Sequence, residues 1–131
     1  MSLLLDTHAL LWWLADSPQL GRTARAAIAD PAAPVWVSTA TLWEIAIKTA
    51  LGRLEIGGAP ADILPPALER SGFNTLPIGA EHALAAGALP AHHTDPFDRM
   101  LIAQASLDGL RLVSADREFS AYGVPLLDAG R

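Results

Sequence analysis

Four acidic residues stand where a parallel-sheet fold would bring their side chains together. Asp6 directly follows a strand-sized run of leucines, and Asp116 follows a second β-rich run near the end of the chain. Glu44 and Asp98 lie in the first turn or so of two predicted helices. In open α/β sheets, the carboxyl ends of strands and the N-termini of the following helices face one crevice. We therefore expect the four carboxylates to converge.

Carboxylates in such a cluster repel one another, and some must protonate unless a cation compensates their charge. The chain has no cysteine, and no histidine stands at a fixed ligand spacing to these acids. Oxygen ligands alone favour a hard divalent ion, Mg²⁺ or Mn²⁺. Such an ion activates water and stabilises the leaving oxygen in phosphodiester hydrolysis. The sequence therefore predicts a metal-dependent hydrolytic site, with these residues as both metal ligands and catalytic groups: Asp6, Glu44, Asp98 and Asp116.

Taken singly, each acid also fits a structural role. Asp6 could cap the helix that follows it. Glu44 could close a capping box with Thr41 and pair with Lys48 one turn further on. Asp98 fits the first turn of a helix, where the helix dipole favours negative charge. Asp116 fits a turn that follows a strand. Only the joint placement of the four acids favours a metal-dependent site over these structural roles.

Short apolar runs alternate with helical patterns along the whole chain. Strands are predicted at Ser2–Leu5, Pro34–Ser38, Asn74–Ile78, Arg111–Ser114 and Val124–Leu127. Helices are predicted at Thr7–Ala15, Leu20–Ala29, Ala40–Leu51, Pro65–Arg70, Ala80–Ala88, Pro96–Leu107 and Arg117–Tyr122. In the sixth of these, Asp95 is expected to be the N-cap, ahead of a proline at the first helical position. This alternation predicts a three-layer α/β/α sandwich around a mainly parallel central sheet.

Composition narrows the class of protein. A chain of 131 residues fits one domain, spanning residues 1–131, and 51% hydrophobic against 18% charged residues excludes a disordered chain. The net charge of −5 argues against a surface that is basic throughout, although a local basic groove stays open. No apolar run approaches the roughly 20 residues of a membrane helix, and Asp6 interrupts any signal-peptide pattern. We expect a cytoplasmic protein.

Four segments of the chain, in order, resemble those of PIN-domain proteins. They are Leu3–Trp12, Ser38–Lys48, His92–Ala105 and Leu112–Phe119, and the Asp95–Arg99 block within the third is particularly specific. The match spans nearly the whole chain. Within the PIN family, the sequence looks most like the VapC toxins of type II toxin–antitoxin pairs.

The resemblance implies a small α/β/α endoribonuclease that uses Mg²⁺ or Mn²⁺. It places the metal ligands at Asp6, Glu44, Asp98 and Asp116. The hydroxyls of Thr7 and Ser114 fill places where the family often carries one, and both could orient metal-bound water. Such toxins cleave RNA, are usually homodimers, and are inhibited by a VapB antitoxin whose C-terminal segment lies in the active-site groove.

Other functions are less well supported. A receiver domain would need a second acid at the first strand and a lysine near the last, but no lysine lies beyond Lys48. An aspartyl-nucleophile phosphatase would need an aspartate where His8 stands. The remaining alternative is a catalytically silent PIN-like protein-binding module that meets its partner through Trp12 or Trp13.

Several side chains near the acids keep more than one interpretation. Lys48, Arg99 and Arg117 could attract RNA or form salt bridges with the same carboxylates. His92 and His93 could be ligands, proton shuttles or packing residues, of which packing is favoured. The four tryptophans are expected mostly in the core, although one of the adjacent pair Trp12 and Trp13 could be exposed in a groove or subunit contact: Trp12, Trp13, Trp36 and Trp43.

Overall fold

A single five-stranded sheet forms the centre of the computed structural model, which describes residues 1–131. The strands are β1 Leu3–Leu5, β2 Val35–Ser38, β3 Asn74–Leu76, β4 Arg111–Ser114 and β5 Leu126–Asp128. Their order is β3-β2-β1-β4-β5, and every neighbouring pair is parallel. The chain runs outward from β1 to β3 on one side and from β4 to β5 on the other. The crevice of this fold therefore lies at the carboxyl ends of β1 and β4.

Six helices and one 3₁₀ turn cover the sheet. The helices are α1 Thr7–Leu14, α2 Arg22–Ala29, α3 Thr39–Ala50, α4 Pro60–Ser71, α5 Ala80–Ala88 and α6 Pro96–Asp108, and the 3₁₀ turn is Arg117–Tyr122. Neither the length nor the apolar character of any helix suffices to cross a membrane. The layered parallel architecture predicted from the sequence is confirmed.

The core occupies both faces of the sheet, as the all-leucine β1 requires. Leu3 and Leu5 belong to a cluster of 16 buried residues, while Leu4 belongs to a second cluster of eight on the other face. A strand covered on both faces reads as a continuous apolar run, because neither face meets water. Truncating Leu4, which is fully buried, to alanine would destabilise the fold by about 2–5 kcal/mol.

The boundaries of α4 differ from the sequence prediction. The Pro65-Pro66 pair is expected from the sequence to open or kink this helix, but the helix begins at Pro60 and the pair lies inside it on the exposed side. Pro60 stands in the first turn, where an amide N–H has no intrahelical partner to lose. The interior prolines each remove one donor from the helix, but they bury no unpaired group because their side faces water. Gly72 ends the helix in the left-handed region at φ 72°.

The tryptophans are less buried than expected. None is fully buried, and Trp43 on α3 is 62% exposed. Trp43 instead packs edge-on against Phe97 of α6, with 5.4 Å between the ring centroids. Trp12 and Trp13 are both half-buried: the ring of Trp13 packs against Phe73, whereas Trp12 lines an open cavity described below.

Candidate active site

Two of the four acids leave the ends of the central strands. Asp6 follows β1 and is the N-cap of α1, where its Oδ1 accepts a hydrogen bond of 2.8 Å from the Ala9 amide. Asp116 follows β4 and caps the 3₁₀ turn by accepting a bond of 2.9 Å from the Glu118 amide. Since β1 and β4 are parallel neighbours, both carboxylates stand at the same edge of the sheet.

Glu44 projects from the second turn of α3 rather than from its first. The helix begins at Thr39 and is capped by Ser38, whose Oγ accepts from the Ala40 amide at 3.0 Å. The capping box predicted between Thr41 and Glu44 is therefore absent, and the buried Thr41 hydroxyl has no hydrogen-bond partner. The sequence pattern places the cap too late because Ser38 also ends β2.

The Glu44 carboxylate is buried and held by two donors. The Thr7 hydroxyl donates to Oε1, and the Lys48 ammonium donates to Oε2 at 2.6 Å. Thr7 lies beside Asp6 at the start of α1, so this bond ties the β1–α1 turn to α3. The pair of Glu44 with Lys48 at i,i+4, expected from the sequence, is present.

Asp98 lies in the first turn of α6. Asp95 caps this helix as predicted, accepting from the Phe97 amide at 2.8 Å. The Asp98 side chain is 24% exposed, so it lies at the surface of the cavity rather than deep within the fold.

One open cavity of about 350 Å³ collects all four acids. Its wall contains Asp6, Thr7, Glu44, Lys48, Asp95, Asp98 and Asp116 among 11 residues. A larger groove of about 500 Å³ lies between α1 and α4, but nine of its 12 lining residues are hydrophobic and it holds no carboxylate cluster. Of the two, only the acidic cavity offers the chemistry that the sequence predicted.

Two acids of the cluster have raised pKa values. Burial raises the pKa of Asp6, and the charge of Glu44 adds to that rise, while hydrogen bonds from Ser114 and Ala9 oppose it. Burial also raises the pKa of Asp98 to about 7, with further contributions from the negative charges of Asp95, Glu44 and Asp6. The carboxylates therefore share one electrostatic environment that disfavours their simultaneous ionisation.

A histidine joins the acids, an arrangement that the sequence left open but did not favour. His93 Nε2 lies 3.1 Å from Asp116 and 3.3 Å from Asp98, and its ring stacks on Phe119. Burial lowers the pKa of His93, but the hydrogen bond to Asp116 and the surrounding negative charges outweigh it, so the pKa is raised. The preference for plain packing is thus wrong for His93. It holds for His92, which packs edge-on against Tyr122.

The only sequence signal for His93 is its distance from Asp98. It stands five residues earlier, in the loop before α6, and no helical or strand periodicity relates the two positions. No spacing rule in the sequence applies to residues that a loop brings together, so the contact of His93 with the acids could not be predicted.

The three basic candidates differ from one another. Lys48 forms the salt bridge described above, whereas Arg99 contacts no carboxylate. Arg99 donates instead to four backbone carbonyls, those of Gly87, Leu89, Pro90 and His93. Arg117 is exposed and forms no salt bridge. Arg99 therefore holds the loop before α6 in place, whereas the Arg117 guanidinium has no carboxylate partner.

The donor set fits a hard divalent cation. The cavity offers carboxylate oxygens from separate segments, and burial together with neighbouring negative charge raises the pKa of both Asp6 and Asp98, so a cation there would stabilise their charged forms. His93 Nε2 and one oxygen each of Asp98 and Asp116 lie within 4.8 Å of one another, a spacing that one ion could bridge. Asp6 and Glu44 lie deeper, where each is also engaged by protein donors.

Comparisons with known proteins agree with the fold and with the sequence motifs. A family model of the PIN domain matches residues 3–125. Ribonuclease VapC22 of Mycobacterium tuberculosis is 30% identical over 125 residues, which are 95% of this chain and 94% of the relative.

Two solved structures have the same architecture. The DNA-bound VapBC of Salmonella typhimurium contains a chain that matches with a TM-score of 0.69 and 22% identity over 98% of each chain. The VapBC2 of Rickettsia felis, bound to a promoter DNA fragment, matches with a TM-score of 0.72 and 15% identity over 97% of this chain and 98% of that one. At these identities the two structures show the fold.

Proposed function

Because the chain belongs to the PIN-domain family, we propose that it is a metal-dependent endoribonuclease of the VapC type. The observation that carries this proposal is the convergence of four carboxylates from four separate segments on one open cavity. We assign the catalytic and metal-binding roles to Asp6, Glu44, Asp98 and Asp116. A relative of nearly equal length that is named a ribonuclease supports RNA as the substrate.

The metal would be Mg²⁺ or Mn²⁺, held by the carboxylate oxygens. When bound, such an ion lowers the pKa of water and stabilises charge on the phosphoryl and leaving oxygens. Asp98 binds a cation best after releasing its proton, because its pKa of about 7 otherwise keeps part of the population neutral. Thr7 and Lys48 fix the position of Glu44 through both of its oxygens.

Basic groups at the cavity can hold the phosphate of the substrate. Lys48 lines the cavity and is 40% exposed, so one face of its ammonium is available beyond the bond to Glu44. Arg117 is exposed and lines an adjoining groove that shares Asp116 with the cavity, so it lies beside the cavity rather than in its wall. Positive charge at these two points offsets the repulsion that an acidic cavity exerts on RNA.

The biological role that fits this enzyme is that of a toxin. Two of the structural relatives are chains of VapBC complexes, which supports an antitoxin of the VapB type as partner. We further propose that residues 1–131 act as one domain, that the toxin is a homodimer, and that it works in the cytoplasm where its RNA lies. Both core clusters pack on the same sheet, which supports a single domain.

The nuclease is tested by incubating the protein with a pool of folded RNA and added Mg²⁺ or Mn²⁺. EDTA and Asp6→Asn are the negative controls. The matched control is Asp62→Asn, an exposed acid in the first turn of α4 that does not line the cavity. We expect cuts at few sites with the wild type and Asp62→Asn, and none with EDTA or Asp6→Asn.

Two results would contradict the proposal. Cleavage that survives undiminished in Asp6→Asn would show that the activity does not come from the acidic cavity, whether its source is another part of the chain or a contaminating nuclease. Absence of both cleavage and metal binding in the wild type would favour the catalytically silent binding module.

A further inference from the structure

Aromatic side chains line part of the acidic cavity and have no role in the proposed metal binding. His8 and Trp12 line this cavity from α1, one helical turn apart, with ring centroids 6.1 Å from each other. Only three of the 11 lining residues are hydrophobic, and of these Phe119 is 1% exposed. Trp12 therefore presents the main apolar surface of an otherwise polar cavity.

The adjacent residue on α1, Trp13, has a structural role. The indole N–H of Trp13 donates to the Ser71 hydroxyl at 3.1 Å, and its ring packs on Phe73. Trp12 has no such hydrogen-bond partner in the protein, although it packs partly on the core. Because consecutive helical residues point about 100° apart, α1 directs one indole into the fold and the other to the cavity.

We propose that Trp12 and His8 form a binding subsite for a nucleobase. This inference rests on the proposed nuclease function. A phosphodiester positioned at the acids carries its bases on both sides, within reach of the cavity wall. Single-stranded RNA is held in proteins mainly by stacking of its bases on aromatic rings, together with cationic contacts to phosphate. Trp12 supplies the ring, His8 extends the aromatic surface, and Lys48 supplies the positive charge.

The subsite requires the target RNA to be unpaired at the cleavage site. A base stacked on Trp12 has left its own helix, so loops and single-stranded segments become substrates while duplexes do not. The selectivity of the enzyme for few sites then comes partly from RNA structure rather than from base identity, because every base has a π-face.

The test uses an oligoribonucleotide centred on a cut found in the RNA pool, and the same oligonucleotide with one abasic position moved along it. The variants are Trp12→Ala, Trp12→Phe and the matched control Trp43→Ala, which removes an exposed indole outside the cavity. We expect one abasic position to lower kcat/KM of the wild type by about 5- to 150-fold. Trp12→Ala should show a similar loss with the intact RNA and no further loss with that abasic RNA. Trp12→Phe and Trp43→Ala should stay within a few-fold of the wild type.

Other outcomes would overturn the subsite. If wild-type protein cleaves every abasic RNA equally well, no base is bound, while the nuclease function stands. If the abasic and Trp12→Ala effects multiply, Trp12 acts elsewhere than on that base. Unchanged kcat/KM together with loss of self-association in Trp12→Ala would assign this face to a second copy of the chain. Should Trp12→Ala fail to fold, the abasic series on the wild type and Trp12→Phe still decides. If the wild type cleaves no RNA, both proposals fail.

Discussion

Asp6 combines a structural contact with a place in the cavity. One of its oxygens caps α1, and the residue lines the acidic cavity together with the other carboxylates. The two interpretations that the sequence offers for this residue are therefore compatible rather than exclusive. An aspartate in that position can cap with one oxygen and still offer the second to a cation.

Two substitutions separate these roles of Asp6. Asp6→Asn keeps an oxygen for the Ala9 amide and removes a charge that burial disfavours, so the metal-free fold should be as stable as the wild type or more so. Asp6→Ala loses the cap, which costs about 1 kcal/mol. Urea unfolding in EDTA measures both, and RNA cleavage should be lost in both. If Asp6→Asn proves less stable than Asp6→Ala, the cap interpretation is wrong.

The proton equilibrium of Asp98 predicts how stability depends on pH. Its pKa in the folded chain is about 7, raised from 3.8, so the native state binds more protons than the unfolded state between these values. Stability from this group is complete below about pH 4 and is lost as pH rises through 7.

The variant Asp98→Asn has no such titration. In EDTA it should therefore exceed the wild type in free energy of unfolding by about 2 kcal/mol at pH 8, after allowance for partial exposure, and by nearly nothing at pH 4. Urea unfolding of both proteins at the two pH values measures the difference. A gap that is equal at both values would show that Asp98 does not titrate as described.

At the scale of elements, periodicity and caps are enough to locate nearly every helix and strand. Asp95-Pro96 predicts the start of α6 correctly because an N-cap acceptor followed by proline has few other uses. The errors occur where one residue serves two elements or where two signals compete. Ser38 ends β2 and caps α3, and Pro60 begins α4 whereas the Pro65-Pro66 pair, which can either open or interrupt a helix, lies inside it.

The cap of α6 also controls the charge of the site. Asp95 accepts from the Phe97 amide and raises the pKa of Asp98 by its negative charge. Asp95→Asn retains the cap acceptor and removes that charge, so the pKa of Asp98 should fall while the melting temperature stays within a few degrees. Carbon-detected NMR titration of the Asp98 carboxyl measures the shift. Asp95→Ala is the comparison, since it loses the cap as well and should cost about 1 kcal/mol. An unchanged Asp98 pKa in Asp95→Asn would contradict the assignment.

At the scale of the whole molecule, the convergence of the four acids could be predicted because it depends on topology alone. Strand ends and helix N-termini of a parallel sheet meet at one edge, whatever the loops do. The contacts of His93 and the exposure of Trp43 could not be predicted in this way. The contacts of His93 depend on the path of a loop, and the exposure of Trp43 depends on how closely α6 approaches α3. Neither feature produces a periodic pattern in the sequence.

A bound cation should stabilise the whole fold, because the ligands proposed for it lie on α3 and α6 and directly after β1 and β4. At a metal concentration a hundred times Kd, mass action adds roughly 3 kcal/mol, or about 10 °C in melting temperature for a chain of this size. Protons compete for Asp98, whose pKa is about 7, so the increase should be larger at pH 8 than at pH 5.5. Thermal unfolding with Mg²⁺ or Mn²⁺ at both pH values measures it. Asp62→Asn should respond as the wild type does, whereas Asp6→Asn and Asp98→Asn should respond weakly. An equal increase in all variants would mean that the cation binds outside the acidic cavity.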